Sequence, residues 1–393
     1  MTAPHALSGI KVIDVAINYA GPSTSMYLAD QGADVIKIER RVTGDTARRS
    51  GNTPFLKLNS RHFMAINRGK RGITVDITKP EGAKIVRQLA QRSDVIVENF
   101  RPGVMDRLGL GYEALSELNP QLIYASITAY GTKGPYADQA GFDRLVQGMA
   151  GAMFRKAADG RPITTGVWIA DWSAPMLVAY GIALALLVRQ QTGKGQRVES
   201  SLLQAAMAMQ LGELTVVEDD ESPEREENQA SYNCFRCADG AFLNLGAIFP
   251  PQFARLCEVM DLPHVANDPR LTDPAKRHEL QQEVGPIFEE LFASEPAEVW
   301  LNRLRAADVP CGPVVDRKQV PYQEQVTANE MMVRVDHPVV GRTRILGVPV
   351  RLSDTPPVKP RPAPTLSEHT DEILGELGYT SERVAELRAA EVI

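Results

Sequence analysis

Residues 10–40 read IKVIDVAINYAGPSTSMYLADQGADVIKIER, and this stretch sets the fold class. Ile10–Val15 is a short β-branched run, the pattern of a buried strand. Gly21-Pro22 then punctuates the chain, and a proline suits the first turn of a helix. Ser23–Gln31 has helical spacing and stops at Gly32, a residue type that closes helices. Asp34–Ile38 is a second strand. The alternation continues with an amphipathic helix over Pro80–Arg92 and strands over Asp94–Val97 and Gln121–Thr128. Strands alternating with helices predict an α/β fold built on a parallel, doubly wound sheet.

The chain around it has 393 residues, which predicts two or three domains. Its 43 Lys and Arg against 49 Asp and Glu give a net charge of −6, which argues against a nucleic-acid partner. Four cysteines are too few for a disulfide scaffold and suit a reducing compartment. The opening MTAPHALSG has neither a basic nor an apolar leader segment, so a soluble cytoplasmic protein is expected. Trp172–Val188 is an apolar run of 17 residues, read as a buried core helix rather than a membrane span. Seven of the ten residues from Glu218 to Glu227 are acidic, the composition of a solvated linker. Beyond it, Phe242–Leu245, Gln252–Met260, Arg277–Ala293 and Pro296–Ala306 predict a smaller α+β unit. Pro356–Pro364 reads as an extended tether before a polar helical tail, Ala363–Ile393.

Several catalytic signatures are missing from the sequence. No GxGxxG follows the first strand, and there is no GxxxxGK[ST], GxSxG or HExxH. Cys234-x-x-Cys237 has no second ligand pair at zinc spacing, so no metal site is expected. Gly193-Lys194-Gly195 follows a long apolar helix and reads as its C-terminal turn. Asp171 opens that same helix. It fits an N-cap, and it also fits a carboxylate nucleophile kept ionised by the helix N-terminus. Basic residues cluster in Lys37–Arg41, Asn67–Arg71 and Asn99–Gly103 with Arg107. Placed after strands, such loops suit an anionic ligand, while each arginine alone also suits a surface ion pair.

These segments together resemble the class III CoA-transferases, a family that also contains the 2-methylacyl-CoA racemases. The markers are LSGIKVIDV with YAGP, ADVIKIER, NRGKRGITVDI, VENFRPGVMDRLG, IADWSAP, TGKGQRVE, NDPRLTDPAKRHEL and SEHTDEILGELGY. The resemblance covers nearly the whole chain. It implies an interlocked homodimer whose subunits have a Rossmann-like large domain and a small α+β domain. On that plan residues 1–216 form the large domain, 217–231 a linker, 232–325 the small domain, and 326–393 a return linker and C-terminal segment packing on the large domain.

The resemblance also implies roles for single residues. Asp171 matches the catalytic aspartate. Arg40, Asn99, Phe100 and Arg107 match CoA-contacting positions, and Asn18, Tyr19 and Ala20 form the loop beside the thioester. No cofactor is expected to be permanently bound; CoA and acyl-CoA enter as substrates with a free carboxylic acid. The expected reaction moves CoA between acids through an aspartyl anhydride and an aspartyl-CoA thioester. Two alternatives are racemization of a 2-methylacyl-CoA and CoA binding without catalysis. Racemases place a histidine before the aspartate of G-H-D, whereas Gly141-Phe142-Asp143 stands here. Their small-domain glutamate aligns with Phe249 or Pro250. Phenylalanine carries no proton, which argues against racemization. The acids expected are C4–C5 dicarboxylates, with Arg48, Arg49 or Arg71 as the receptor for a distal carboxylate, and Phe142, Asp143 and Phe249 beside the substrate.

Overall fold

The computed structural model describes residues 4–51, 53–218, 230–272 and 274–393. The acidic run at 219–229, and with it most of the expected linker, lies outside the described residues.

β1 (Lys11–Asp14) sits inside a six-stranded sheet, paired in parallel with β2 (Asp34–Glu39) on one side and β4 (Val95–Glu98) on the other. β3 (Arg71–Thr74), β5 (Ile123–Thr128) and β6 (Arg197–Ser201) complete the all-parallel order β3-β2-β1-β4-β5-β6. Successive side chains of β1 point to opposite faces, and both faces are covered. Val12 packs with Val95, Ile123 and the helices Ala20–Asp30 and Ile169–Thr192. Ile13 packs with Ile36, Ile96 and the helix Pro80–Gln91. Double burial explains the β-branched residues Val12 and Ile13 at consecutive positions of β1, beside the buried and charge-paired Asp14.

Within this sheet, the two strands not apparent in the sequence are its edges. β3 is RGIT and β6 is RVESS, short segments with little apolar alternation. An edge strand needs polar character to resist further pairing. One consequence is a correction: Asn67–Arg71 leads into β3 instead of following a strand. Lys70 is buried there, bonded to Asp14 Oδ2 at 2.8 Å.

Ile169–Thr192 is a helix of 24 residues, long and apolar enough to cross a membrane, closed by Gly193 in the left-handed conformation. Ala170, Ala174, Val178 and Ile182 enter the core. Met176, Tyr180, Leu184, Leu187 and Val188 remain exposed. The expectation of a buried core helix holds for one face only.

The described residues divide into two compact units. One comprises residues 1–216 and 328–393, and its C-terminal helices Thr370–Glu376 and Ser381–Ala389 join the core that contains Ile13. It also holds a hairpin, Met332–His337 with Gly341–Leu346, that the sequence reading did not identify. The second unit, residues 217–327, contains a three-stranded antiparallel sheet of Cys234–Arg236, Phe242–Leu245 and Cys311–Pro313. Phe235, Phe253, Phe288, Phe292 and Trp300 fill its own core. Its helices Pro250–Val259, Pro274–Phe292 and Ala297–Ala306 lie where the sequence predicts them, within a few residues.

Candidate active site

The C-terminal ends of β1 to β5 open onto one cavity of about 910 Å³. It lies where the strand order turns back at β1 and β4, the position at which open α/β sheets take ligands. Asn18, Tyr19 and Ala20 line it after β1, Arg40 and Arg41 after β2, and Asp76–Thr78 after β3. Asn99–Pro102 follow β4, and Thr128 and Ala129 end β5. Phe142, Asp143, Trp168 and Asp171 close the β5 side.

The loop after β1 is held rigidly. Asn99 clamps Ile17, accepting from its N–H and donating to its carbonyl, each at 2.8 Å. Asn18 has φ = 63°, a left-handed conformation that asparagine tolerates. Its N–H donates to Asp45 Oδ1 at 2.9 Å. Tyr19 and Ala20 N–H have no hydrogen-bond partner among the described residues. Gly21 is needed because the helix starts against the loop: a Cβ there would stand 2.2 Å from Ala16 Cβ.

Buried charges support this loop from below. Lys37 donates to the Ala16 carbonyl and lies 3.1 Å from Asp45 and 3.6 Å from Asp14. Burial opposes charge at Asp14, but Lys37 and Lys70 outweigh it and hold the carboxyl below its usual range. Lys70 is pushed down to about 8, mainly by burial. At the end of β4, burial pushes Glu98 up to about 7, and its Oε2 accepts from Phe100 N–H at 2.8 Å.

Asp171 lies in the first turn of Ile169–Thr192, and the N-cap position belongs to Trp168. Asp171 is therefore not the cap. That service comes from another helix: Asp143 Oδ1 accepts from Ala170 N–H at 2.8 Å and Asp171 N–H at 3.3 Å. Gln147 locks the arrangement, donating to Asp143 Oδ2 and to the Val167 carbonyl at 3.0 Å and accepting from Thr165 N–H at 3.0 Å. The Asp171 carboxylate has no hydrogen-bond partner among the described residues. Burial first, then the Asp143 charge, pushes Asp171 up to about 7. Both push against the ionised form that a helix N-terminus favours, so the carboxyl is only partly ionised at neutral pH.

The wall beside Asp171 is aromatic. Tyr19 lies 4.7 Å from Trp168, and Trp168 stacks with Trp172 at 6.0 Å. His62 joins them at 5.0 Å from Trp168, which nothing in its sequence context indicates.

Of the residues proposed from the sequence, Asn18, Tyr19, Ala20, Arg40, Asn99, Phe100, Phe142, Asp143 and Asp171 line this cavity. Arg107, at the end of a short exposed turn of helix, does not line it. Two proposed substrate residues are corrected. Arg48 is fully buried, paired with Glu39 at 2.7 Å through both Nε and Nη2, and it donates to the Pro364 carbonyl. Arg71 pairs with Asp34, Glu372 and Glu376 away from the cavity. Phe249 belongs to the second unit, where it is exposed at the start of Pro250–Val259. Arg41, Arg101 and Arg144 also line the cavity. The first two stood in basic loops already singled out; Arg144 is signalled only by its place after Asp143.

An α/β sheet whose switch point carries loose arginines and one unpartnered carboxylate defines a protein built for an anionic substrate and carboxylate chemistry. Residues 7–370 match CoA-transferase family III, and the chain belongs to that family. It is 35% identical to human succinyl-CoA:glutarate CoA-transferase over 98% of this chain and 90% of that one. It is 34% identical to the succinyl-CoA–L-malate CoA-transferase beta subunit of Chloroflexus aurantiacus, over 100% of this chain and 99% of the other. Among solved structures, a CAIB/BAIF family protein from Brucella suis superposes with a TM-score of 0.82 at 33% identity, covering 95% of this chain and all of that one. The chain is thus a class III CoA-transferase that acts on acyl-CoA and carboxylate substrates.

Proposed function

We propose that this enzyme moves CoA between C4–C5 dicarboxylic acids with Asp171 as the nucleophile. The observation that carries the reading is the Asp171 carboxylate: without a hydrogen-bond partner among the described residues, and lining the same cavity as Tyr19 and Ala20, whose N–H groups are open. The names of the relatives, succinyl-CoA:glutarate and succinyl-CoA–L-malate, support the substrate class.

The steps balance without ATP. An Asp171 oxygen attacks the thioester carbonyl, the C–S bond breaks, and CoA thiolate leaves an aspartyl anhydride. The thiolate attacks the aspartyl carbonyl and expels the first acid, leaving aspartyl-CoA. The acceptor carboxylate attacks that thioester, forming a second anhydride and free thiolate. Attack of the thiolate on the acceptor carbonyl yields the new acyl-CoA and restores Asp171. Each tetrahedral centre carries an oxyanion. Tyr19 and Ala20 N–H are the donors we assign to it, since Asn18 N–H is already held by Asp45. The aromatic wall limits water, which would hydrolyse either intermediate.

CoA enters as a substrate, its phosphates meeting Arg40 on the β2 side of the cavity. The reading is supported by the strand order, in which β2 lies three strands from β5. The reading includes a cytoplasmic homodimer. Its support is the low cysteine content and the exposed apolar face from Met176 to Val188.

The test is transfer from succinyl-CoA to glutarate, malate and other acids without ATP, with an ¹⁸O-labelled acceptor. Label appears on Asp171 after turnover, because the bridging oxygen of the second anhydride stays there. Transfer with an unlabelled Asp171 overturns the covalent route. Deuterium uptake at the α-carbon of a 2-methylacyl-CoA favours the racemase.

A further inference from the structure

The reaction centre is already anionic. Asp171 and Asp143 share one helix N-terminus, and a dicarboxylate adds two more negative charges. Arg48 and Arg71, the cations expected to offset them, are committed to buried or remote ion pairs. The cavity's own cations are Lys37, Arg40, Arg41, Arg101 and Arg144. Lys37 is enclosed by Asp14 and Asp45, and Arg41 donates to the Ile393 carbonyl and pairs with Glu391.

Sheet order separates Arg40 from the rest, and the bond from Asp171 N–H to Asp143 separates Arg144 from Arg101, which follows the neighbouring strand β4. Arg40 follows β2 and Arg101 follows β4, whereas Arg144 stands on the β5 side with Asp171. β2 and β5 are three strands apart, about 14 Å at the usual strand spacing. That distance suits a CoA whose phosphates lie at Arg40 while its thioester reaches Asp171. It leaves Arg40 too far to read the small acyl group. Arg144 is the residue after Asp143, whose carboxylate grips the Ala170 and Asp171 N–H groups. Its backbone position is therefore fixed relative to the nucleophile. Its guanidinium is exposed and has no hydrogen bond or ion pair among the described residues.

We propose that Arg144 is a specificity-determining residue that receives the distal carboxylate of a dicarboxylic acyl group or acceptor. This rests on the transferase reading above. A planar guanidinium can hold a carboxylate through two parallel N–H···O bonds, which a lysine cannot reproduce.

The test compares wild type, Arg144→Gln and Arg144→Lys, using glutarate and succinate against valerate and butyrate as acceptors. The quantities read are kcat/KM for each acid and KM for succinyl-CoA and butyryl-CoA as donors. Arg144→Gln should lower kcat/KM for the dicarboxylates about 10–100-fold and change the monocarboxylates less than about 3-fold. Arg144→Lys should recover only part of the loss. Equal loss for both acid classes overturns the proposal. So does a rise in KM as large for butyryl-CoA, which has no distal carboxylate, as for succinyl-CoA, which would place Arg144 on the CoA phosphates. Wild-type transfer without preference for dicarboxylates sinks this inference and leaves the transferase reading standing. Absence of transfer to every acid sinks both.

Discussion

The Asp143 carboxylate accepts a hydrogen bond from the backbone N–H of Asp171 at 3.3 Å, so the two acids share one helix N-terminus. Asp143 spends its lone pairs on Ala170, Asp171 and Gln147. Asp171 is left with a free carboxylate in a half-buried setting. The partnered acid positions the unpartnered one and also repels its charge.

Asp171→Asn should abolish CoA transfer, with kcat falling at least about 10³-fold, as removal of a nucleophile does. It should also stabilise the fold. Burial raises the folded-state pKa to about 7, above the unfolded value, so the wild type loses stability as pH rises between those two values. The Tm advantage of the variant should grow over that window and level off above it. Thermal unfolding between pH 4 and 9 reads this out.

The carboxylate form is the nucleophile, so kcat/KM should rise through a limb near pH 7. Asp143→Asn removes the neighbouring charge and should move that limb to lower pH, while altering the Gln147 contacts at about 1–2 kcal/mol of stability. Glu98 is also raised to about 7 and is the control. Glu98→Gln should leave the limb where it is.

Arg48→Leu should destabilise the protein by about 3–5 kcal/mol in urea unfolding, because it strands the buried Glu39 carboxylate. The double variant Glu39→Leu/Arg48→Leu should recover part of that loss. In whatever protein folds, the ratio of dicarboxylate to monocarboxylate turnover should match wild type, since Arg48 does not face the cavity.

Gly21→Ala should cost about 1–3 kcal/mol, because its Cβ would overlap Ala16 and press on Asn99 Cγ at 3.2 Å. Asn99 clamps the loop that carries Tyr19 and Ala20, so kcat should fall as well. A variant with lower Tm and unchanged kcat would separate the packing of Gly21 from the placement of that loop.

The sequence by itself determined the interior of the sheet. β1, β2, β4 and β5 are buried on both faces, so their apolar runs and the punctuation between them are unambiguous. Its motifs also marked Asp171, the Asn18–Ala20 loop and the Asn99-Phe100 pair, all local in the chain. The edge strands β3 and β6 stayed hidden because an edge carries polar residues for reasons unrelated to the core. Tertiary structure alone decided the electrostatics. Asp143 and Asp171 stand 28 residues apart in the chain, and only packing of two helices puts a second negative charge beside the first. Helix grammar alone predicted an ionised Asp171; burial and that neighbour push the other way and raise its pKa to about 7. The same holds for the arginines. Composition cannot distinguish Arg48, locked to Glu39 under the loop, from Arg144, open to the cavity. That distinction depends on which side chains find a partner once the sheet has formed.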